Sequence, residues 1–397
     1  MESKDRRMKI MFSSNAPWSN SGYGVETRWL LKRMHDDGWP VALMAFVGLS
    51  GGMVEYDGYP CYPNMMDVWG SDGLFHHGNH FKADVRFTMQ DVPLLNPEFL
   101  RQMNNFIPYV PIDQEPVPPP VLDKLRFAYK IITFSQWGQK ALQRAGFTST
   151  LIQEGTDINV FKPLDKMACR KEFGLPQDKF IVGQIGANKE NPPRKAWQES
   201  LEAFKLFHDK HPDSIYFYQS NQNNQFAGGF PIINFAAYLG IAPFVAHLDD
   251  YMATFHTGPE QVNKLLNCFD VLLHPSMTEG FGLIVAESQA AGTPVIISDV
   301  TSMPEQVIDG ETSFICKTNR KLFSTAGGFW QFPEVNSIYE KLELAYKTDL
   351  EKMGERSREH VVKNYNIDII FQEKWLPLLE QLQKEFLPPL TESQKVV

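Results

Sequence analysis

Short apolar runs alternate with amphipathic stretches from the start of the chain, and the alternation predicts strand, helix, strand. Residues Lys9–Ser13 (KIMFS) read as a buried first strand, followed by a polar, glycine-containing loop over Asn15–Gly24. A helix is expected over Glu26–Asp37, where Trp29, Leu30, Arg33 and Met34 fall at helical spacing and Gly38 provides a stop. Val41–Phe46, Asp84–Met89, Ile107–Val110 and Lys130–Phe134 are further strand-like runs, and a helix over Gln136–Ala145 closes at Gly146. After a strand at Leu151–Gln153, the turn-rich segment GTDINVFKP (Gly155–Pro163) interrupts the rhythm.

A short helix near Leu164–Phe173 then opens a second alternation. Its expected strands are Phe180–Ile185, Ser214–Gln219, Val271–Leu273 and Pro294–Ser298. Its expected helices are Lys195–His208, Gly258–Cys268 behind an N-cap-like Thr257, and Gly282–Ala291. Three helical segments, Ser337–Thr348, Leu350–Tyr365 and Asp368–Phe386, end the pattern. Strands regularly separated by helices argue for doubly wound parallel sheets, here two of them, meeting near residue 165. The expected units are residues 1–165 and 166–365, with the stretch from about 366 to 397 returning to pack on the first unit.

Composition narrows the class. The chain has 397 residues, 43% apolar and 21% charged, which fits a globular protein large enough for two cores. No run of 18 or more uncharged apolar residues is present, so no stable membrane insertion is expected. The charged start, Met1–Lys9, lacks the apolar core of a signal peptide. Cys61, Cys169, Cys268 and Cys316 are scattered without a C-x-x-C pair, and three of them sit in apolar or mixed runs. A reducing, cytoplasmic setting is the simplest account. Net charge is −9: residues 1–165 hold 16 Lys plus Arg against 18 Asp plus Glu, and the remainder 22 against 29. Neither half is a basic platform for nucleic-acid backbones or anionic lipid.

The chemistry concentrates in PSMTEGFGLIVAES, residues 275–288. A strand leads into it, two glycines break it, and a helix follows. Gly280 and Gly282 allow the N–H groups of Phe281, Gly282 and Leu283 to approach an anion at the positive end of that helix. Glu279 and Glu287, with seven residues between them, place one carboxylate in the loop and the other about two turns into the helix. Carboxylates are poor phosphate ligands but good hydroxyl acceptors. Glu287 therefore suits a ribose diol and Glu279 a sugar ring, with a diphosphate between them.

This stretch resembles the E-x7-E signature of retaining glycosyltransferases of the GT-B fold, in particular glycosyltransferase family 4. The continuation Ala290-Ala291-Gly292-Thr293-Pro294-Val295-Ile296 and the loop Pro304–Thr312 (PEQVIDGET) are similar to that family's pattern, although Ser288 and Gln289 stand where Ala and Met are common. Further segments carry the resemblance, which runs from residue 9 to about 365. In ANKENPPRK (Ala187–Lys195), Lys195 matches the family's basic residue that neutralises the donor diphosphate. Arg194 is adjacent, and Asn188 or Lys189 stands where a second arginine is usual. Cations at a helix start oppose the helix dipole, which favours a functional reason for them. Ser21-Gly22-Tyr23-Gly24 resembles the glycine loop that faces the donor from the first domain, and Gly155–Pro163 resembles the structural segment that begins the interdomain crossing.

The resemblance implies two Rossmann-like domains facing across a cleft. It implies transfer of a hexose from a UDP- or GDP-sugar, with retention, without metal or other cofactor. Glu279, Lys195, Arg194 and Asp113 are the expected catalytic group. Gly22, Tyr23, Gly24, Asn188, Gly280, Phe281, Gly282, Leu283 and Glu287 join Arg194, Lys195 and Glu279 as donor contacts. Asp113 and Glu115 sit in the proline-held loop YVPIDQEPVPPP (residues 109–120), where acceptor-side residues lie in the family, and Asp91 follows another strand end. His76, His77 and His80 (HHGNH) lack partner ligands in the sequence and read as solvated helix-start residues rather than a metal site. Asp249-Asp250 does not form a D-x-D pair, and His247 and His274 read as structural. The acceptor stays open between a saccharide, a small molecule, a lipid-linked glycan and a modified nucleic-acid base. A sugar-nucleotide-binding protein, or a GT-B epimerase or phosphorylase lacking a transfer acceptor, is the alternative.

Overall fold

The structure is a computed structural model that describes residues 7–220, 229–255 and 257–387. Its first sheet contains β1 (Ile10–Asn15), β2 (Val41–Val47), β3 (Val54–Tyr56), β4 (Tyr59–Pro63), β5 (Val85–Met89), β6 (Phe106–Val110), β7 (Ile132–Thr133) and β8 (Thr150–Leu151). Their order is β3-β4-β2-β1-β5-β6-β7-β8, parallel throughout except for the β3–β4 edge pair. The second sheet holds β9 (Phe180–Ile185), β10 (Ser214–Gln219), β11 (Val245–His247), β12 (Val271–His274), β13 (Val295–Ser298) and β14 (Phe314–Cys316). They run in the order β11-β10-β9-β12-β13-β14 and are all parallel. Numbered within the sheet this is 3-2-1-4-5-6, the doubly wound order. The chain reverses its winding between β9 and β12, as it does between β1 and β5 in the first sheet.

Burial follows the pattern expected of strands covered on both faces. Every residue of β1 is buried, as is every residue of β5, β6, β12 and β13. Separate apolar clusters fill the outer face of each sheet, around Leu74 and Leu142 in the first and around Trp197 and Phe204 in the second. A larger cluster joins the two halves and takes in the last helical run. Trp375 is fully buried, with its ring 5.9 Å from Phe87 and 5.1 Å from Tyr109, both on the first sheet. That run is a single turn at Ile367–Ile370, a π-helical stretch at Phe371–Trp375 and a helix at Leu376–Phe386, and Trp375 packs it on the first sheet.

Two passages of chain join the halves and bond to each other. Thr156 N–H donates to Tyr365 O at 2.8 Å, and Ile367 N–H donates back to Thr156 O at 3.1 Å. Arg33 ties the first half to both passages through Asp157 at 3.1 Å and Asp368 at 2.7 Å.

Several sequence expectations shift. Gly22, Tyr23 and Gly24 do not lie in a loop. They form the first turn of the helix Gly22–Asp36, because the Ser21 hydroxyl accepts from Gly24 N–H at 3.1 Å and caps it. Thr257 is not a cap: Gly258 occupies that position, and the Thr257 hydroxyl donates to Ala253 O at 2.6 Å. The helix expected from Lys195 begins at Trp197, and the helix after the two glycines begins at Leu283, so Glu287 lies little more than one turn inside it. The β3–β4 pair, the edge strands β11 and β14, and the antiparallel hairpin of β15 (Thr318–Phe323) and β16 (Phe329–Pro333) were not foreseen. The hairpin reaches across to the first half, where Phe329 N–H donates to Glu115 O at 3.2 Å and Ser324 Oγ bonds Gln114.

Candidate functional site

Ligands in open α/β sheets bind outside the carboxyl ends of the strands where the winding reverses. Here both reversal points open onto the same space. Loops after β1 and β5 supply one wall of a cleft of about 840 Å³, and loops after β9 and β12 supply the other.

The charged centre of the cleft is Glu279. Its Oε2 pairs with Arg194 Nη1 at 3.0 Å, its Oε1 pairs with Lys195 Nζ, and His274 Nε2 sits 3.1 Å from the same Oε1. Burial pushes the Glu279 carboxyl up, but Arg194, Lys195 and His274 outweigh it and hold the group well below the usual carboxylate range. Burial also lowers Lys195, with Glu279 opposing the shift, and lowers His274, which leaves a neutral imidazole. The backbone of Glu279 is fixed as firmly as its side chain. Thr301 Oγ1 donates to Glu279 O at 2.8 Å and accepts from Glu279 N–H at 3.1 Å. Thr301 holds φ at +47°, a strained value for a β-branched residue, and strain of this kind persists only where surrounding contacts enforce it.

Beyond Glu279 the chain turns through Gly282, whose φ of +93° suits glycine, into the helix Leu283–Ala290. None of the N–H groups of Phe281, Gly282 and Leu283 has a hydrogen-bond partner among the described residues, while Phe281 O is held by Gln306 Nε2 at 2.6 Å. The turn is thus anchored through its carbonyl and presents its donors to the cleft. Gly280 is also spatially constrained, since a Cβ there would overlap Pro111 and lie 2.9 Å from its Cα. Glu287 projects into the cleft from the helix; burial alone raises its carboxyl to about 8. Its carboxylate forms no hydrogen bond among the described residues and is free to accept from paired hydroxyls.

The facing wall carries Tyr23, Asp91 and Asp113. Asp91 lies near Tyr23, and burial together with that carboxylate raises the Tyr23 hydroxyl well above its ordinary value. Burial raises Asp91, opposed by Arg194 and Lys189. Burial also raises Asp113 to about 6, with Arg194 opposing and Asp91 and Glu279 adding to the shift. The Asp113 backbone is tied to the other half, because the Thr278 hydroxyl donates to Asp113 O. Deeper in the junction Glu26 and Glu154 stand near Glu287. Burial raises Glu26 to about 8, and burial with Glu26, Glu287 and Glu279 raises Glu154 well above its ordinary value.

The structure therefore brings Gly22, Tyr23, Asp113, Arg194, Lys195, Glu279, Gly280, Phe281, Gly282, Leu283 and Glu287 into one cleft. Gly24 lies in the same helical turn but does not line it. Asn188 is a correction: its side chain turns away to Phe230, donating to the carbonyl and accepting from the N–H, both at 2.7 Å, while its neighbours Lys189 and Glu190 line the cleft. Glu115 is another, being drawn outward by Arg144. His76, His77 and His80 lie within the helix Ser71–Phe81 rather than at its start. His77 faces Pro63 O at 3.1 Å and His80 faces the Tyr62 hydroxyl at 3.2 Å. Asp249 accepts from Tyr251 and Met252 N–H, the Asp250 side chain lies outside the described residues, and His247 stacks on Tyr218. No group of three or more His, Cys, Asp or Glu among the described residues is arranged to hold a metal.

Sequence reasoning missed His274, Glu26, Glu154 and Trp330. The first two left a signal: His274 ends a strand beside the decisive loop, and Glu26 shares the helical face of Trp29, Leu30 and Arg33.

Residues 247–324 match the family model described as glycosyl transferases group 1. D-inositol 3-phosphate glycosyltransferase of Streptomyces avermitilis is 32% identical over 169 residues, 42% of this chain and 35% of that protein. The enzyme of the same name from Mycobacterium tuberculosis (strain F11) is 31% identical over 163 residues, 41% of this chain and 31% of that one. The chain thus spans about a third of the length of these curated relatives. Sucrose-phosphate synthase from Thermosynechococcus elongatus superposes with a TM-score of 0.76 at 18% identity, covering 96% of this chain and all of that one. HepE of Anabaena in complex with UDP-glucose superposes at 0.69 and 16% identity, covering 94% of this chain and all of that one. The fold is GT-B: two α/β domains facing across a cleft.

Proposed function

We propose that the chain is a glycosyltransferase that moves a hexose from a UDP- or GDP-sugar to an acceptor hydroxyl, with retention and without a metal ion. The observation that carries the reading is the order of groups along one wall of the cleft. Two cations, Arg194 and Lys195, stand beside the unpaired amides of Phe281–Leu283, with Glu287 beyond them on the same helix. Cations and amides suit a diphosphate and an isolated carboxylate suits a ribose diol, so the spacing matches a nucleoside diphosphate laid along the helix start. Glu279 and, from the facing wall, Asp113 then flank the position of the hexose.

Departure of the diphosphate is the step these groups favour. Lys195, Arg194 and the amides stabilise the charge that grows on the leaving oxygen as the glycosidic bond breaks. They are preorganised, because Glu279 already holds both cations in place. The acceptor hydroxyl approaches from the side of the departing phosphate, which can take its proton. In this reading the working units divide near residue 165, with the segment from about 366 packed back on the first unit. The four buried, unpaired cysteines suit a cytoplasmic protein. UDP is the favoured nucleotide for the first test, since HepE, a fold neighbour, was solved with UDP and with UDP-glucose.

The test is a thermal-shift comparison of UDP-, GDP- and ADP-sugars, with and without Mg²⁺, on the native chain and on Glu287→Gln. A ligand at 100 times its Kd adds about 2.7 kcal/mol of stability. The expected result is a selective, Mg²⁺-independent shift that weakens in Glu287→Gln by about 10- to 100-fold in Kd, the scale of a lost hydrogen bond to a charged group. No shift with any sugar nucleotide would sink the reading.

A further inference from the structure

The acceptor side of the cleft differs in kind from the donor side. Among the described residues, every lysine and arginine lining the cleft, Lys189, Arg194 and Lys195, comes from the segment after β9. The titratable carboxylates on the facing wall are Asp91, Asp113 and Glu154, and apolar side chains continue from there to the mouth: Phe46, Val47, Trp69 and Leu94.

That apolar lining runs out onto an exposed rim. The loop between β4 and the helix Ser71–Phe81 leaves Met66 91% exposed, Val68 69% and Trp69 39%. A loop that shows apolar side chains through slackness has few backbone bonds; this one is pinned along its length. Asn64 Nδ2 donates to Val68 O at 3.1 Å, and Asp72 accepts from the N–H groups of Met66 at 2.9 Å and Asp67 at 3.0 Å. Asp67 in turn accepts from Trp69 N–H at 3.0 Å and Ser71 N–H at 3.1 Å. Two carboxylates and an amide are spent on fixing a turn whose apolar side chains face water. Trp69 belongs both to this turn and to the cleft lining, and exposed apolar side chains held on a fixed turn beside a cleft mark a contact, so the occupant of the cleft is the natural partner.

We propose that the acceptor is an uncharged, hydroxyl-bearing molecule with an apolar body, its hydroxyl reaching past Trp69 and Leu94 to Asp113 while the body lies on Met66 and Val68. The proposal rests on the glycosyl-transfer reading above and sharpens it by naming the acceptor class. A phosphorylated acceptor fits poorly, because among the described residues that wall offers no cation: its charged groups are carboxylates, set beside the neutral polar side chains of Asn15, Asn20, Ser21 and Gln90 and the apolar surface. This separates the chain from the relatives whose names specify an inositol phosphate. A nucleic-acid acceptor is disfavoured on the same ground, since its backbone needs cations along the approach.

The test uses alkyl glucosides as stand-ins, below their micelle-forming concentrations. Affinities of methyl, hexyl and octyl β-D-glucoside are measured by ligand-observed NMR with the chain saturated in UDP, and myo-inositol is compared with 1D-myo-inositol 3-phosphate. Octyl glucoside is expected to bind at least about tenfold more tightly than methyl glucoside, a modest return for seven added methylenes on a half-open surface. The double variant Met66→Ser/Val68→Ser is expected to lose most of that gain, and the inositol phosphate to bind no more tightly than inositol. Because both side chains face solvent, the variant removes no core packing. An octyl chain that adds nothing, a gain that survives the double variant, or a preference for the phosphate would each overturn the acceptor class. Stabilisation by UDP and by GDP measured on the same samples separates the two failures. Absence of stabilisation by both UDP and GDP overturns the donor reading, while stabilisation with no alkyl-chain gain overturns the acceptor class alone.

Discussion

Replacing Glu279 by Gln isolates the electrostatic core of the site. The carboxylate is buried and compensates two cations at once, Arg194 through Oε2 and Lys195 through Oε1. Glutamine keeps the shape but offers one oxygen and one NH₂ group. Whichever way the amide turns, it presents donors to one of the two cations. Breaking a buried ion pair from one side costs about 3–5 kcal/mol, because the remaining charge stays desolvated. For a chain of this length the entropy of unfolding makes 1 kcal/mol equivalent to about 1–2 °C in Tm, so the midpoint should fall by roughly 3–10 °C at pH 7. The sign of the pH dependence follows from the depressed carboxyl. Its contribution is present above the unfolded Glu pKa and is lost as pH falls through the folded value. The gap between native and variant should therefore hold across pH 6–8 and close only in acid. UDP should narrow it, since the diphosphate supplies the missing negative charge; the UDP-induced shift should be larger in the variant than in the native chain. A variant Tm within about 1 °C of native, or a smaller response to UDP, would refute the account of Glu279 as the group that holds the two cations.

Two further outcomes follow from the raised carboxyls. Glu26 and Glu287 at about 8, with Glu154 also raised, carry native-state pKa values above their unfolded ones, so their stabilising protons are present in acid and lost as pH rises through about 8. Tm of the unliganded chain should fall between pH 6 and 9, with a slope of up to about 1.4 kcal/mol per pH unit for each group, and Glu26→Gln should flatten the profile; parallel native and variant profiles would count against it. On the proposed glycosyl-transfer reading the ionised form of Asp113, whose carboxyl is raised to about 6, accepts from the hexose, so kcat/KM should climb from pH 5 to 7. Asp113→Asn should cut kcat/KM about 10- to 100-fold at pH 7 and remove the rise, and a variant that retains the rise would assign it to another group.

The alternation of apolar runs was enough to read most strands of both sheets, because buried parallel strands have nearly continuous apolar sequences and the helices between them carry their own period; β11 and β14, three residues each at the two edges of the second sheet, were too short to show it. The elements that escaped are those without such a signature. In β15 five of six residues are exposed, and its sequence TNRKLF carries two cations; β16 follows the pair Gly327-Gly328 and ends in Pro333. Neither buries a full face, and the hairpin is held instead by distant partners that no local window contains: Gln114 and Glu115 across the cleft, and Met277, whose carbonyl accepts from Gln331 N–H at 3.0 Å. The glycines at positions 22 and 24 read as a loop because glycine more often ends a helix than begins one. The Ser21 cap decided otherwise.

The candidate site divides along the same line. Residues whose role depends on the backbone around them, Gly280 to Leu283, were legible because glycine spacing before a helix specifies a local geometry. Glu287 was legible through its distance from Glu279 along the same segment. Residues whose role depends on a partner from elsewhere were not. His274 differs from any buried strand histidine only in that Glu279 folds back to within 3.1 Å of it. Asn188 shows the converse: it stands in the expected motif, yet Phe230, 42 residues away, claims both ends of its amide. Sequence position placed Asn188 in the correct loop, but competition between a donor ligand and the protein's own backbone decides which way a side chain turns. Lys189, next to it, has no such claim on its ammonium and faces the cleft. If the missing second cation of the diphosphate site is supplied by any residue of this loop, the geometry favours Lys189 over Asn188.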